Sequence, residues 1–148
     1  MRANPVKRAL KAGGVSIGTM VFEFSSTGIA HLAASAGAEF VVFDMEHTGW
    51  SVETIRMLMA SARGAATVPI VRVPAAEYHF LARVLDMGAM GVMVPMVSSV
   101  EQAQRIVQSA KYPPEGRRGS AFTISHDDFQ GGDIALKMRT ANEQVLLI

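Results

Sequence analysis

Short apolar runs alternate with helix-spaced stripes along most of this chain. Val15-Ser16-Ile17-Gly18-Thr19-Met20 predicts a first strand, and Ile29, Leu32, Ala33 and Ala36, at i, i+3, i+4, i+7 spacing, predict the buried face of a helix. A second strand spans 39–44. Ser51 then caps a helix with Glu53 in its first turn, where the helix dipole favours a negative charge, and Ile55, Leu58, Met59 and Ala62 form its stripe. Strand three, Val68 to Val73, is closed by Pro74. Phe80, Leu81, Val84 and Leu85 repeat the helical spacing up to Gly88, and Gly91-Val92-Met93-Val94-Pro95 predicts strand four. Ser98 and Glu101 form an expected capping box ahead of Ile106, Val107 and Ala110. The prolines and glycines of Tyr112-Pro113-Pro114-Glu115-Gly116-Arg117-Arg118-Gly119 predict a loop. Asp133 is placed to cap a short helix bearing Ile134, Met138 and Ala141, which leads into a last run, Val145-Leu146-Leu147-Ile148.

The fold class is therefore α/β: about four βα units plus the start of a fifth strand. Such repeats build either an open doubly wound sheet or a barrel. No Gly-rich phosphate turn follows strand one, which weakens the open-sheet reading. A complete (β/α)8 barrel needs roughly 250 residues, so the barrel reading makes residues 1–148 one incomplete domain, the N-terminal half of a TIM barrel.

Composition narrows the partners. Fourteen Lys and Arg against thirteen Asp and Glu give a net charge of +1 with no run of like charges, so neither a nucleic-acid groove nor a polybasic membrane anchor is indicated. Small molecules or further copies of the chain remain. Cysteine is absent, which removes disulfides, thiolate catalysis and zinc-thiolate sites and agrees with a reducing cytoplasm. The polar N-terminus lacks a signal-peptide core and no stretch approaches the ~20 apolar residues of a membrane span, so the expected location is cytoplasmic.

Chemistry concentrates at Phe43-Asp44-Met45-Glu46-His47, where strand two ends in two acids and a histidine. Alternation puts Asp44 and Glu46 on one side, and Arg72 shares a face with Ile70 on the next strand. A guanidinium beside carboxylates and an imidazole at strand carboxyl ends suits an anionic substrate. The alternative is a structural ion pair of Arg72 with Asp44 or Glu46. A carboxylate within reach of His47 would set its tautomer and make it a general base near neutral pH. Met20, ending strand one, is placed to line a pocket mouth, while most of the ten methionines serve as core filler. His31 and His79 are assigned to surface or packing, and His126 is left open. Arg117-Arg118-Gly119-Ser120 is either an anion clamp or, the favoured reading, a solvated loop. Asp127 and Asp128 are expected in a solvated turn, and no complete set of metal ligands occurs.

The segments Phe43 to His47, Val71-Arg72-Val73-Pro74, Leu85-Asp86-Met87-Gly88-Ala89, Val94-Pro95-Met96-Val97, and Tyr112-Pro113-Pro114 through Arg118-Gly119 together resemble the HpcH/HpaI aldolases, in order, from about Gly18 to Ile148. The resemblance implies a class II, metal-dependent pyruvate aldolase on a (β/α)8 barrel, assembled as a homo-oligomer, commonly a hexamer. Its reaction would split 4-hydroxy-2-oxo acids into pyruvate and an aldehyde, or run in reverse. A divalent cation (Mg, Mn or Co) would chelate pyruvate, His47 would be the base through a bound water, Arg72 would face the keto oxygen, and Asp44 would orient His47. Arg72, Glu46 and Met20 would bind substrate. The family's metal-ligating glutamate and aspartate are expected beyond Ile148, so these 148 residues alone are expected to be inactive. Two alternatives are kept: a superfamily lyase acting on a CoA thioester or a dicarboxylate, and a non-catalytic half-barrel that self-associates.

Overall fold

All five strands run parallel in one sheet of order β1-β2-β3-β4-β5, which is the succession that repeated βα crossovers produce. The computed structural model describes residues 1–148. The elements are α1 (Pro5–Lys11), β1 (Gly18–Val21), α2 (Ile29–Ser35), β2 (Phe40–Asp44), α3 (Val52–Ser61), β3 (Val68–Arg72), α4 (Tyr78–Asp86), β4 (Gly91–Met93), α5 (Val100–Ala110), α6 (Ile134–Gln144) and β5 (Leu146–Leu147). Strand alternation divides the core in two. Val41, Phe43, Val71 and Val92 pack outward against α3 and α4 in a cluster of 21 buried residues. Val42, Val68 and Ile70 point to the other face, where Val6 of α1 closes a second, smaller cluster with Met20, Phe40, Met93 and Leu146 against it.

α1 exists as a plug for that second face. Asn4 caps it, and the Asn4 side chain also donates to the Met90 and Gln144 carbonyls, pinning the helix under the amino ends of β4 and β5. Gly18 is required by close approach rather than by a turn. A Cβ there would sit 2.5 Å from the ring and carbonyl of Phe40, its partner on β2.

The predicted boundaries hold to within a few residues, and Ser51, Gly88 and Asp133 take their expected roles. Four local expectations are corrected. Leu32 and Ala36, both expected on the buried face of α2, are exposed and edge an apolar groove of about 640 Å³ between α2 and β1, while Ala30 joins Ala33 in the core. Val107 is partly exposed while Ser109 is buried. Ile134 stands in solvent. The α5 cap is Ser99, which accepts from the Gln102 amide, and Gln102 reaches back to the Ser98 amide in place of the Ser98–Glu101 pair. No helix is long and apolar enough to cross a membrane.

Candidate active site

β2 and β3 end side by side, and their register places Asp44 directly opposite Arg72. Both lie on the face of Val42 and Ile70, so the two strands deliver a carboxylate and a guanidinium to the same end of the same surface. Arg72 Nε donates to Asp44 Oδ1 at 2.6 Å, Nη1 lies 3.1 Å from Glu46 Oε2, and Nη2 makes no hydrogen bond. The expected ion pairs thus form with both acids at once. They leave one edge of the guanidinium free.

Asp44 is 0% exposed, yet both of its carboxylate oxygens accept hydrogen bonds. Its Oδ1 also accepts the Glu46 amide at 3.0 Å, its Oδ2 accepts the His47 amide at 3.0 Å, and Thr48 Oγ1 donates to its carbonyl. Burial pushes this carboxyl up, but the Arg72 hydrogen bond and the two backbone N–H groups outweigh burial and hold it below its ordinary value. The Asp44 hydrogen bond in turn raises Arg72. Asp44 is therefore an anion locked in place, built to aim Arg72 and to fold the turn that follows β2.

His47 requires a correction. Asp44 holds its backbone, not its imidazole; the nearest carboxylate to the ring is Glu46, with Oε2 3.6 Å from Nε2. The ring is 64% exposed and free to turn. Met20 pairs with Val42, two residues short of Asp44, and lines the groove beside β1. Phe22, one residue past the paired register, is the β1 side chain at the level of the cluster: its ring centroid lies 5.8 Å from Arg72 Cζ. Met20 was selected for its place at the end of strand one; period-two alternation carried two residues further along the chain would have pointed to Phe22.

The other candidates fall elsewhere. His31 and His79 are exposed, and His31 Nε2 lies 3.2 Å from the Ser61 carbonyl. Asp127 and Asp128 are not a solvated turn: Asp127 is fully buried against Lys137 and the amides of Thr123 and Ile124, and Asp128 pairs with Arg63. Arg118 is not solvated either, being buried against Asp86. Arg117 is exposed.

The model of the HpcH/HpaI aldolase/citrate lyase family matches residues 19–148. The chain belongs to this family. A hydroxypyruvate/pyruvate aldolase of Roseobacter denitrificans is 35% identical over 121 residues, which cover 82% of this chain and 47% of that protein. A 2-keto-3-deoxy-L-rhamnonate aldolase of Salmonella gallinarum is 30% identical over 146 residues, 99% of this chain and 54% of that protein. An HpcH/HpaI aldolase from Desulfitobacterium hafniense, solved by crystallography, superposes with a TM-score of 0.91 at 32% identity, covering 98% of this chain and 56% of that one. The chain spans about half the length of the curated relatives it matches. Its five strands are successive strands of the TIM barrel on which HpcH/HpaI aldolases are built, and Asp44, Glu46, His47 and Arg72 stand at the carboxyl ends, where barrels of this kind carry their chemistry.

Three buried groups contribute to the acid stability of this HpcH/HpaI chain. Burial lowers His126 from 6.5, so its neutral form is the folded one, and the stability it contributes is present above about pH 6.5 and lost as pH falls. Asp44 and Asp127 also sit below their ordinary 3.8, so their share is lost only as pH falls through that range. Urea midpoints measured from pH 8 to pH 3 are expected to fall in two stages. Asp44→Asn should flatten the second stage and leave the first.

Proposed function

We propose that this chain supplies the enolate-stabilising half of a pyruvate-type aldolase site, acting on 4-hydroxy-2-oxo acids and releasing, or adding, an aldehyde. The observation that carries the reading is the free edge of Arg72. Its Nε and Nη1 are held by Asp44 and Glu46 and its Nη2 is left open, which is how a donor is preorganised for an oxygen on which charge develops. The same guanidinium would bind the 2-oxo acid, with Glu46 setting its plane, Phe22 packing on it and Met20 forming the lower wall.

His47 is the proposed base. An exposed, rotatable imidazole on the turn beyond β2 can reach a proton of a bound substrate or of an intervening water, and Glu46 is the acid close enough to stabilise the imidazolium that results. Asp44 acts as a positioning residue for both, by the Arg72 side chain on one oxygen and by the His47 amide on the other.

The family resemblance implies a divalent cation, which would need oxygen or nitrogen ligands from several side chains. Residues 1–148 contain no group of three His, Cys, Asp or Glu able to hold an ion, and both oxygens of Asp44 already accept hydrogen bonds from within the chain. These 148 residues do not fit a metal centre by themselves. The ligands of such a cation would come from outside these residues. The 148-residue chain, given pyruvate, an aldehyde and Mn or Mg, is expected to turn over far more slowly than ~1 per second; turnover at that rate would show that a complete site lies within it.

Assembly with further copies, as a hexamer in the resemblance, is part of the same reading. For these 148 residues by themselves, self-association is favoured by the exposed apolar rim of Ile17, Phe22, Phe24 and Leu32 along the open edge of β1, an edge that a closed barrel would cover. The decisive experiment is exchange of the pyruvate methyl protons in deuterium oxide, followed by NMR on the intact protein, alongside cleavage of a 4-hydroxy-2-oxo acid. Exchange and cleavage together support the enolate. A protein that does neither, but cleaves a CoA thioester, belongs to the alternative lyase reading.

A further inference from the structure

The turn between β2 and α3 carries both Glu46 and His47, yet its own main chain does little to hold it. Met45 N–H still donates to the Arg72 carbonyl at 2.8 Å, but none of residues 46–50 makes a backbone–backbone hydrogen bond. A turn without such bonds keeps one shape only where side chains supply the missing partners. Two side chains do so here. At the near end the Asp44 carboxylate accepts the Glu46 and His47 amides. At the far end stands the half-buried Thr48, whose Oγ1 donates to the Asp44 carbonyl at 2.6 Å and accepts the Trp50 N–H at 3.3 Å.

Those two partners are the fixed points of the turn. Asp44 is the buried last residue of β2, and Trp50 packs against the larger hydrophobic cluster just before α3 begins. One hydroxyl therefore joins the end of the strand to the approach of the helix, around the segment that bears the two site residues. Glu46 has a second tether, to Arg72 Nη1 at 3.1 Å. His47 has none. Its ring makes no hydrogen bond and is 64% exposed, so the position of its Nε2, 3.6 Å from Glu46 Oε2, depends on the path of the main chain beneath it. Threonine suits that place, because two substituents on Cβ limit χ1 and keep the hydroxyl aimed. The alternative is a local turn bond that adds to stability and nothing more.

We propose that Thr48 is a positioning residue of the aldolase site, its hydroxyl fixing the turn that presents the His47 imidazole to a bound 2-oxo acid. The proposal rests on the reading of His47 as the base. A base displaced by about 1 Å can lose on the order of 100-fold in rate while the fold persists. Arg72, in contrast, is held by Asp44 across neighbouring strands and does not depend on the far end of the turn.

In the intact protein, Thr48→Val replaces the hydroxyl by a methyl group of similar size, and Thr48→Ser keeps the hydroxyl while losing only the stiffness at χ1. Thr48→Val is expected to slow pyruvate methyl exchange and cleavage of a 4-hydroxy-2-oxo acid together, by roughly 10- to 100-fold, with KM for the 2-oxo acid little changed. Thr48→Ser should recover most of that loss. A lower melting temperature with kcat intact would mark a purely structural bond and overturn the proposal, as would a serine variant as slow as the valine one. His47→Ala, measured beside them, tells the base from its positioning. A wild-type protein that does not exchange, or a His47→Ala variant that exchanges at the wild-type rate, removes the base assignment and this proposal with it. A slow His47→Ala beside an unimpaired Thr48→Val removes the positioning role alone. Should Thr48→Val fail to fold, amide hydrogen exchange of the wild-type protein decides: protected His47 and Trp50 amides support the hydroxyl-held turn, and a Trp50 amide that exchanges like an open chain overturns it.

Discussion

In the intact protein, Arg72→Lys is expected to lower kcat by at least ~100-fold with little change in melting temperature. Lysine preserves a cation opposite the fully buried Asp44, which is why it is more informative than alanine: an unpaired buried carboxylate costs about 3–5 kcal/mol and would confuse unfolding with lost chemistry. What lysine cannot do is hold Asp44 and Glu46 with two nitrogens in one plane and present a third. Loss of one preorganised donor to a developing oxyanion is worth roughly 100- to 1,000-fold in kcat. A KM effect without a kcat effect would mean that Arg72 only binds the substrate carboxylate. A rate within a few-fold of wild type, in a variant of unchanged stability, would reduce the Asp44–Arg72–Glu46 network to a structural ion pair.

His47→Ala should fail differently. Its ring is mostly exposed and makes no hydrogen bond, so its loss is expected to shift stability by no more than about 0.5 kcal/mol. Activity should nevertheless fall by roughly 100- to 10,000-fold, the usual worth of a positioned general base. Because the base acts on the enolate step, exchange of the pyruvate methyl protons should slow together with carbon–carbon cleavage. Exchange and cleavage near wild-type rates would remove His47 from the reaction and leave Glu46, the acid beside it, as the next group to test. Glu46→Gln adds a useful contrast, since it removes the charge 3.6 Å from the imidazole and 3.1 Å from Arg72 while keeping the shape.

Much of this protein is written locally. An apolar run that ends in Asp-Met-Glu-His, followed after a capped helix by a second run ending in arginine, is enough to put Asp44 and Arg72 on the same end of neighbouring parallel strands. βα units repeat with one handedness, and side chains alternate with a period of two. The caps at Ser51 and Asp133 and the left-handed Gly88 were legible for the same reason: each depends on backbone groups within three or four residues. Family membership was also in reach, because five short motifs stand in order along one chain.

What only the tertiary structure decided depends on which distant element covers a residue. Leu32 and Val107 sit at core spacing on their helices, yet the packing turns Ala30 and Ser109 inward in their place. Arg118 and Asp127 look like loop charges until Asp86, 32 residues away, and Lys137 across the next turn supply buried partners. The imidazole of His47 follows the same logic in reverse. Sequence spacing put a carboxylate three residues before it, but the turn after β2 spends that carboxylate on the backbone amide, because a buried anion takes the nearest N–H donors first. Sequence alone settled which strands and which charged groups this protein brings together; three-dimensional packing settled which atoms of those groups remain free to act.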